Sequence, residues 1–255
     1  MNYRWKTIES LTMKTTVAIL AILLLSSTAF AQKTLKYLTD AEIDPSRLLP
    51  PPPKDGTDVQ KQELIELKRI LATRTPERFQ QAQWDNEHES SIIFAGAIGP
   101  EFDLAKLPAT AKLLAAVEND QSVGASAAKA YFSRRFAAVV DTSIVPLTCD
   151  PADVRASAAK PGGRALRSYP SGHATMGYAV GVFLAALIPE KSQAILARAA
   201  DYAYSREICG DHYHSDVEAS HALGNALGIM LLHNAALQPQ IEASRAELRQ
   251  AHITQ

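Results

Sequence analysis

Between Val59 and Leu71, leucines recur at positions 64, 67 and 71 among glutamates and lysines. That three-to-four-residue spacing predicts an amphipathic helix. Similar periodicity runs over roughly 76–98, 103–118 and 122–140, and Pro161, Gly162 and Gly163 then interrupt it. The segments 172–188 and 215–233 are the most apolar of the predicted helices, and a polar one from Gln240 to Gln250 closes the chain. No alternating run is long enough to predict a strand, and no internal repeat is found. Alanine-rich helices joined by short loops predict an all-α fold, a single-domain helical bundle.

Two stretches fall outside the helical pattern. Lys14, the apolar run from Val17 to Leu25 and the small-residue exit Ala29-Phe30-Ala31 have the layout of a secretory signal peptide over residues 1–31. The apolar run is too short for a bilayer, which needs about 20 residues. Met13 is a more natural start for such a leader than Met1. Residues 32–58 follow as an extended strap around Leu48-Leu49-Pro50-Pro51-Pro52-Pro53, since consecutive prolines favour polyproline II. The flanking leucines predict that this strap lies on the domain. The helical domain then spans 59–255.

Composition narrows the class. Of 255 residues 47% are hydrophobic and 21% charged, with 26 Lys+Arg against 27 Asp+Glu, which excludes a disordered chain. There is no positive surplus for a nucleic-acid polymer. Without residues 1–31 the balance is 23 to 26, a net charge of −3. An exported protein of this kind is expected in the periplasm or outside the cell, with no membrane association after cleavage. In that setting Cys149 and Cys209, the two cysteines, are expected to form a disulfide.

The chemistry gathers in the last hundred residues. Tyr169-Pro170-Ser171-Gly172-His173 precedes an apolar helix. Ser171 is a good N-cap, Gly172 permits close approach of a ligand, and free N–H groups at a helix start attract anions. On these residues alone, a capping serine followed by an incidental exposed histidine is the simpler reading. The second cluster, Ser205-Arg206-Glu207-Ile208-Cys209-Gly210-Asp211-His212-Tyr213-His214-Ser215-Asp216, shifts the balance. Arg206 offers a planar fork for phosphate oxygens. His212 and Asp216, four apart, share one face of a helix, so the carboxylate could fix one imidazole nitrogen and leave the other free to attack. Taken alone, that spacing also fits a surface salt bridge.

Together, Pro170-Ser171-Gly172-His173 and Ser205-Arg206, five residues, His212, three residues and Asp216 resemble the type-2 phosphatidic acid phosphatase superfamily. Within it the chain is most similar to the class A bacterial non-specific acid phosphatases. Their leader, the strap at 48–53, Phe94-Ala95-Gly96-Ala97-Ile98-Gly99 and Ile208-Cys209-Gly210 extend the similarity through most of the chain. The resemblance implies a metal-independent acid phosphatase with no cofactor, acting on small-molecule phosphomonoesters, and a possible homo-oligomer. His212 would be the nucleophile that becomes a phosphohistidine, Asp216 its orienting carboxylate and His173 the general acid. Arg206, Ser171 and Gly172 would hold phosphoryl oxygens.

The family also carries an upstream motif of Lys, six residues, Arg and Pro, and here the sequence departs from it. In Lys129-Ala130-Tyr131-Phe132-Ser133-Arg134-Arg135-Phe136 only five residues separate Lys129 from Arg135, and no proline follows. A residue turns a helix by about 100°, so Lys129 and Arg135 cannot both keep the family geometry on an undistorted helix. Because Arg135-Phe136 best mirrors the motif, Lys129 and Arg135 are assigned to phosphate, with Arg134 a further candidate. Competing readings are a metal site from His212, His214, Asp216 and His221, a vanadate-dependent haloperoxidase using the same cradle, a membrane lipid phosphatase and a non-catalytic phosphate-binding protein. The spacing of His212 and His214 points them in different directions on a helix. The apolar runs are too short for a membrane enzyme.

Overall fold

The computed structural model describes residues 33–158 and 166–255. The expected signal peptide and the break at 161–163 lie outside them. Among the described residues eleven α-helices follow in chain order: α1 Pro45–Leu48, α2 Asp58–Thr73, α3 Pro76–Glu87, α4 Ala95–Ile98, α5 Pro108–Phe132, α6 Ala137–Val140, α7 Pro151–Ala158, α8 Gly172–Leu187, α9 Ser192–Ile208, α10 His214–Leu232 and α11 Gln238–Gln250. Short 3-10 turns join several of them, and no strand occurs among the described residues. The fold is all-α.

Helix starts follow local chemistry. The side chains of Thr57, Thr75 and Ser171 accept from the backbone N–H three residues on, satisfying donors that the first turn leaves unpaired. Pro76 and Pro108 occupy first-turn positions, where no N–H is needed. The apolar α8 is central. It packs on α5, α9 and α10, burying Met176, Val180, Phe183 and Leu184 against a core that includes Leu113, Val117, Leu223 and Leu227. Helices α8 and α10 approach so closely that a Cβ on Gly224 would stand 2.6 Å from the Thr175 carbonyl oxygen. Only glycine fits there.

The structure corrects several predicted boundaries. The segments 103–118 and 122–140 are not two helices, because α5 runs unbroken across Asn119-Asp120-Gln121. Asp120 is polar for a different reason. It is fully buried and accepts hydrogen bonds from the backbone N–H groups of Lys36, Tyr37 and Leu38 at 2.8–2.9 Å. At the other end α5 stops at Ser133, whose left-handed φ of 49° ends the helix. Lys129 and Arg135 therefore do not share a helix. The predicted helix 76–98 is divided after Glu87, and α9 was not predicted at all. The face that α9 buries carries Ile195, Ala199, Tyr202 and Ala203 at helical spacing, a usable signal, and then Ser205, Arg206 and Glu207, which do not continue the apolar pattern. Leu49 of the proline-rich segment is buried in the core, and the Pro50 carbonyl accepts from the Tyr169 hydroxyl at 2.7 Å.

Candidate active site

A cavity of about 590 Å³ opens where the end of α3, one face of α5, the start of α8 and the α9–α10 loop meet. Lys129, Gly172, His173, Arg206 and His212 all border it. Asp216 and Ser171 lie one layer behind, with no exposed surface.

His212 sits just ahead of α10 and Asp216 in its first turn, so a turn brings them together and not the helical spacing read from sequence. His212 Nδ1 is 3.4 Å from Asp216 Oδ2, without the alignment of a full hydrogen bond. The imidazole geometry places Nε2 on the side of the ring away from that carboxylate. Asp216 is held from several directions. Its Oδ2 accepts from the Ser168 hydroxyl at 2.6 Å and the Tyr213 N–H at 3.0 Å, and its Oδ1 accepts from Arg134 at 2.6 Å. Burial alone would raise its pKa, but contact with His212 and the Arg134 charge outweigh that and keep it below the usual range. Burial pulls His212 down to about 4, despite the contact with Asp216 that favours its protonated form.

The cations converge from separate elements. Lys129, near the end of α5, donates to the Arg167 carbonyl, and burial lowers its pKa to about 7. The positive charges of Arg167 and Arg206 add to that depression. Arg206, near the end of α9, pairs with Asp211 and donates to Asn86 Oδ1 at 2.9 Å. Its Nε is buried and lacks a partner among the described residues. Such a buried donor calls for an acceptor. His173 Nε2 lies 3.2 Å from the Asn86 carbonyl and its Nδ1 3.6 Å from Glu89. Burial first, then the Arg206 charge, lowers the His173 pKa well below the imidazole range. Ser171 spends its hydroxyl on capping α8, accepting from Ala174 N–H at 3.3 Å.

Arg135 does not join this group. It pairs with Asp55 at 2.7 Å on the surface, its side chain 45% exposed, because the chain leaves α5 at Ser133 and turns it outward. Its neighbour Arg134 is the one turned inward. The four-residue metal reading also fails on geometry: His214 pairs with Glu207 at 3.0 Å and His221 packs at a tilt against the Tyr178 ring. Among the described residues no group of three or more His, Cys, Asp or Glu gathers as a metal site. Cys149 and Cys209 form a disulfide, Cα to Cα 4.8 Å. It fastens the loop carrying His212 to the segment before α7, beside Gly210, whose φ of 72° suits glycine.

Sequence reasoning missed Arg167, Asn86, Glu89 and Asp211 on the cavity wall, and Glu63 and Ser168 behind it. Ser168 and Arg167 precede the Pro170 motif directly, which was a usable signal. Glu63, one of three acids among the charged residues of α2, gave none.

A profile of the PAP2 superfamily matches residues 119–238, a span holding both motif clusters and Lys129. The chain is 32% identical over 214 residues to an acid phosphatase of Zymomonas mobilis, covering 83% of this chain and 78% of that protein. It is 32% identical over 221 residues to a non-specific acid phosphatase of Providencia stuartii, 84% of each chain. A non-specific acid phosphatase of Salmonella typhimurium is 28% identical over 208 residues, 78% of each. The chain belongs to the PAP2 superfamily and, within it, to the bacterial acid phosphatases.

Proposed function

We propose that this protein hydrolyses phosphomonoesters of broad structure, without a metal, through a phosphohistidine on His212. One observation carries the reading. A buried imidazole has one nitrogen toward the fully buried Asp216 carboxylate, and its ring borders a cavity that Lys129 and Arg206 also line. A phosphoryl group in transit spreads charge over three oxygens, so catalysis needs positioning and positive charge more than covalent help.

In the first step His212 Nε2 forms a bond to phosphorus while the bond to the leaving oxygen breaks. His173 gives that oxygen its proton, and the alcohol departs. Water then attacks phosphorus, passes a proton to His173 and releases phosphate, restoring His212. Asp216 keeps the Nδ1 proton in place and stabilises the cationic ring. Lys129, Arg206 and the N–H groups at the start of α8 hold the phosphoryl oxygens, with Gly172 letting them approach. Ser171 contributes by capping that helix start.

Acid-quenching the enzyme during turnover of labelled substrate should trap a base-stable protein phosphate that is absent from His212→Ala. Label that persists in His212→Ala rules out this nucleophile, and activity lost to EDTA and restored by a divalent ion rules out the metal-free mechanism. We also infer export to the periplasm. The sequence at 14–31 and a disulfide, a bond rare in a reducing cytosol, support this. Protein sequencing of exported material should begin at residue 32.

A further inference from the structure

With Arg135 at the surface, two arginines compete for the phosphate place it was assigned. Arg134 does not border the cavity. Its side chain is 2% exposed and lies 3.9 Å over the Tyr213 ring. Nη1 donates to Asp216 Oδ1 at 2.6 Å and to Ser215 Oγ at 2.8 Å, and Nη2 donates to Glu63 Oε2 at 2.7 Å. Swinging it toward a ligand would strand the buried Asp216 carboxylate without its counter-charge, which is strongly unfavourable, and would unpair the part-buried Glu63 as well.

Arg167 stands differently. It borders the same cavity as Lys129, His173, Arg206 and His212. Its carbonyl receives the Lys129 ammonium, and its positive charge is close enough to oppose protonation of that lysine. Lys129, Arg167 and Arg206 thus bring three cations to one cavity, matching the three oxygens of a phosphoryl group in transit.

We propose that Arg167 is the third phosphate-binding cation of this site and that Arg134 is a positioning residue holding Asp216 against His212. The proposal rests on the phosphatase reading, yet its test is separable from it. Calorimetry with inorganic phosphate measures the anion site without turnover, and p-nitrophenyl phosphate measures turnover.

Arg167→Ala should weaken inorganic phosphate by about ten- to a hundredfold, the loss of a charge-assisted contact, and raise KM accordingly. Arg134→Gln should leave phosphate affinity within about twofold of the wild type, since it touches no ligand. Its effect should fall on the acidic limb of kcat/KM. Asp216 faces His212 from the α9–α10 loop, Lys129 from α5, Arg134 after α5, and the more distant Tyr169 and Tyr213. Removing Arg134 takes away an opposing charge, raises the pKa values of Asp216 and His212 together and moves that limb up by about one pH unit. Arg134→Lys should bring it most of the way back.

If Arg134→Gln does not fold, Arg134→Lys alone decides: wild-type phosphate affinity with the acidic limb of kcat/KM displaced upward by a fraction of a pH unit supports a positioning role. Weakened phosphate binding in Arg134→Lys or Arg135→Ala, with Arg167→Ala like the wild type, overturns the proposal. A wild-type protein that binds phosphate through Arg167 but turns nothing over sinks the phosphatase reading and leaves the anion site standing.

Discussion

Binding a dianion should load the site with protons. Lys129 is held at about 7 against an ordinary 10.5, by burial and by the charges of Arg167 and Arg206. At pH 7.5 it is therefore roughly one-quarter protonated. A dianion within contact distance favours the charged form by about 1–3 pKa units, which brings Lys129 close to full protonation. The uptake is about 0.7 proton from this residue alone, and His173, depressed by burial and Arg206, adds to it. Sulfate is the right probe, because it is dianionic across this range and brings no proton of its own. Titrating sulfate into the protein in buffers of different ionisation enthalpy gives the proton count as a slope. That slope should be positive at pH 7.5. At pH 6 the Lys129 share should shrink to about a tenth of a proton, leaving the remainder to His173. The stability linkage has the matching sign. The folded state holds the Lys129 proton less tightly than the unfolded chain, so the free protein gains stability as pH rises from about 7 toward 10.5. Sulfate should correspondingly raise Tm more at pH 6 than at pH 8. A slope of zero at pH 7.5, or proton release, would refute the account of a cation cage kept partly discharged by its own crowding.

The pH–rate profile is a second check. With His212 at about 4, kcat/KM should fall as pH drops through that value, and because His173 must carry a proton although burial and Arg206 hold its pKa below the imidazole range, it should also fall as pH rises toward neutrality, further as Lys129 discharges at about 7; a profile still climbing above pH 8 contradicts it. The disulfide closes a loop of 60 residues, so Cys149→Ala with Cys209→Ala should cost about 4 kcal/mol in denaturant unfolding, and a loss under 1 kcal/mol would show that the loop is held by other contacts. Gly224→Ala places a methyl against the Thr175 carbonyl and should destabilise by about 1–3 kcal/mol, whereas Gly96→Ala, in α4 with nothing within 4 Å of the new carbon, should be neutral or slightly stabilising. Equal melting temperatures for the two would show that α8 and α10 separate without penalty.

Much of the architecture was legible because α8 and α10 announce themselves through long apolar runs, and α2 through its leucine spacing. What escaped was structure made by polar side chains. Asn119-Asp120-Gln121 reads as a helix break until Asp120 is seen taking three backbone donors from the strap. Helix α9 could have been read from Ile195, Ala199, Tyr202 and Ala203 at helical spacing, but its last buried turn, Ser205, Arg206 and Glu207, is held by partners that no periodicity reveals. The site followed the same division. His173, Arg206 and His212 stand in fixed local motifs, so their places on the cavity wall could be read from order along the chain. The upstream arginine could not, because its direction depends on where α5 ends. The left-handed turn at Ser133 decides that, and serine gives no warning of it.

The strap also bears on how this protein can be cut. Helix periodicity suggests that an expression boundary near residue 59 would keep every long helix. Such a truncation removes Lys36, Tyr37 and Leu38, and with them the three backbone donors around a carboxylate that has no access to water. Asn119 would remain as a neighbour, but an amide cannot replace three N–H groups on a buried charge. The deletion would also take the Pro50 carbonyl from the Tyr169 hydroxyl, immediately ahead of the Ser171–His173 turn. The loss would be felt at the middle of α5 and at the mouth of α8 together, far from the cut in sequence. A truncation that keeps Asp120 satisfied therefore has to begin ahead of Lys36.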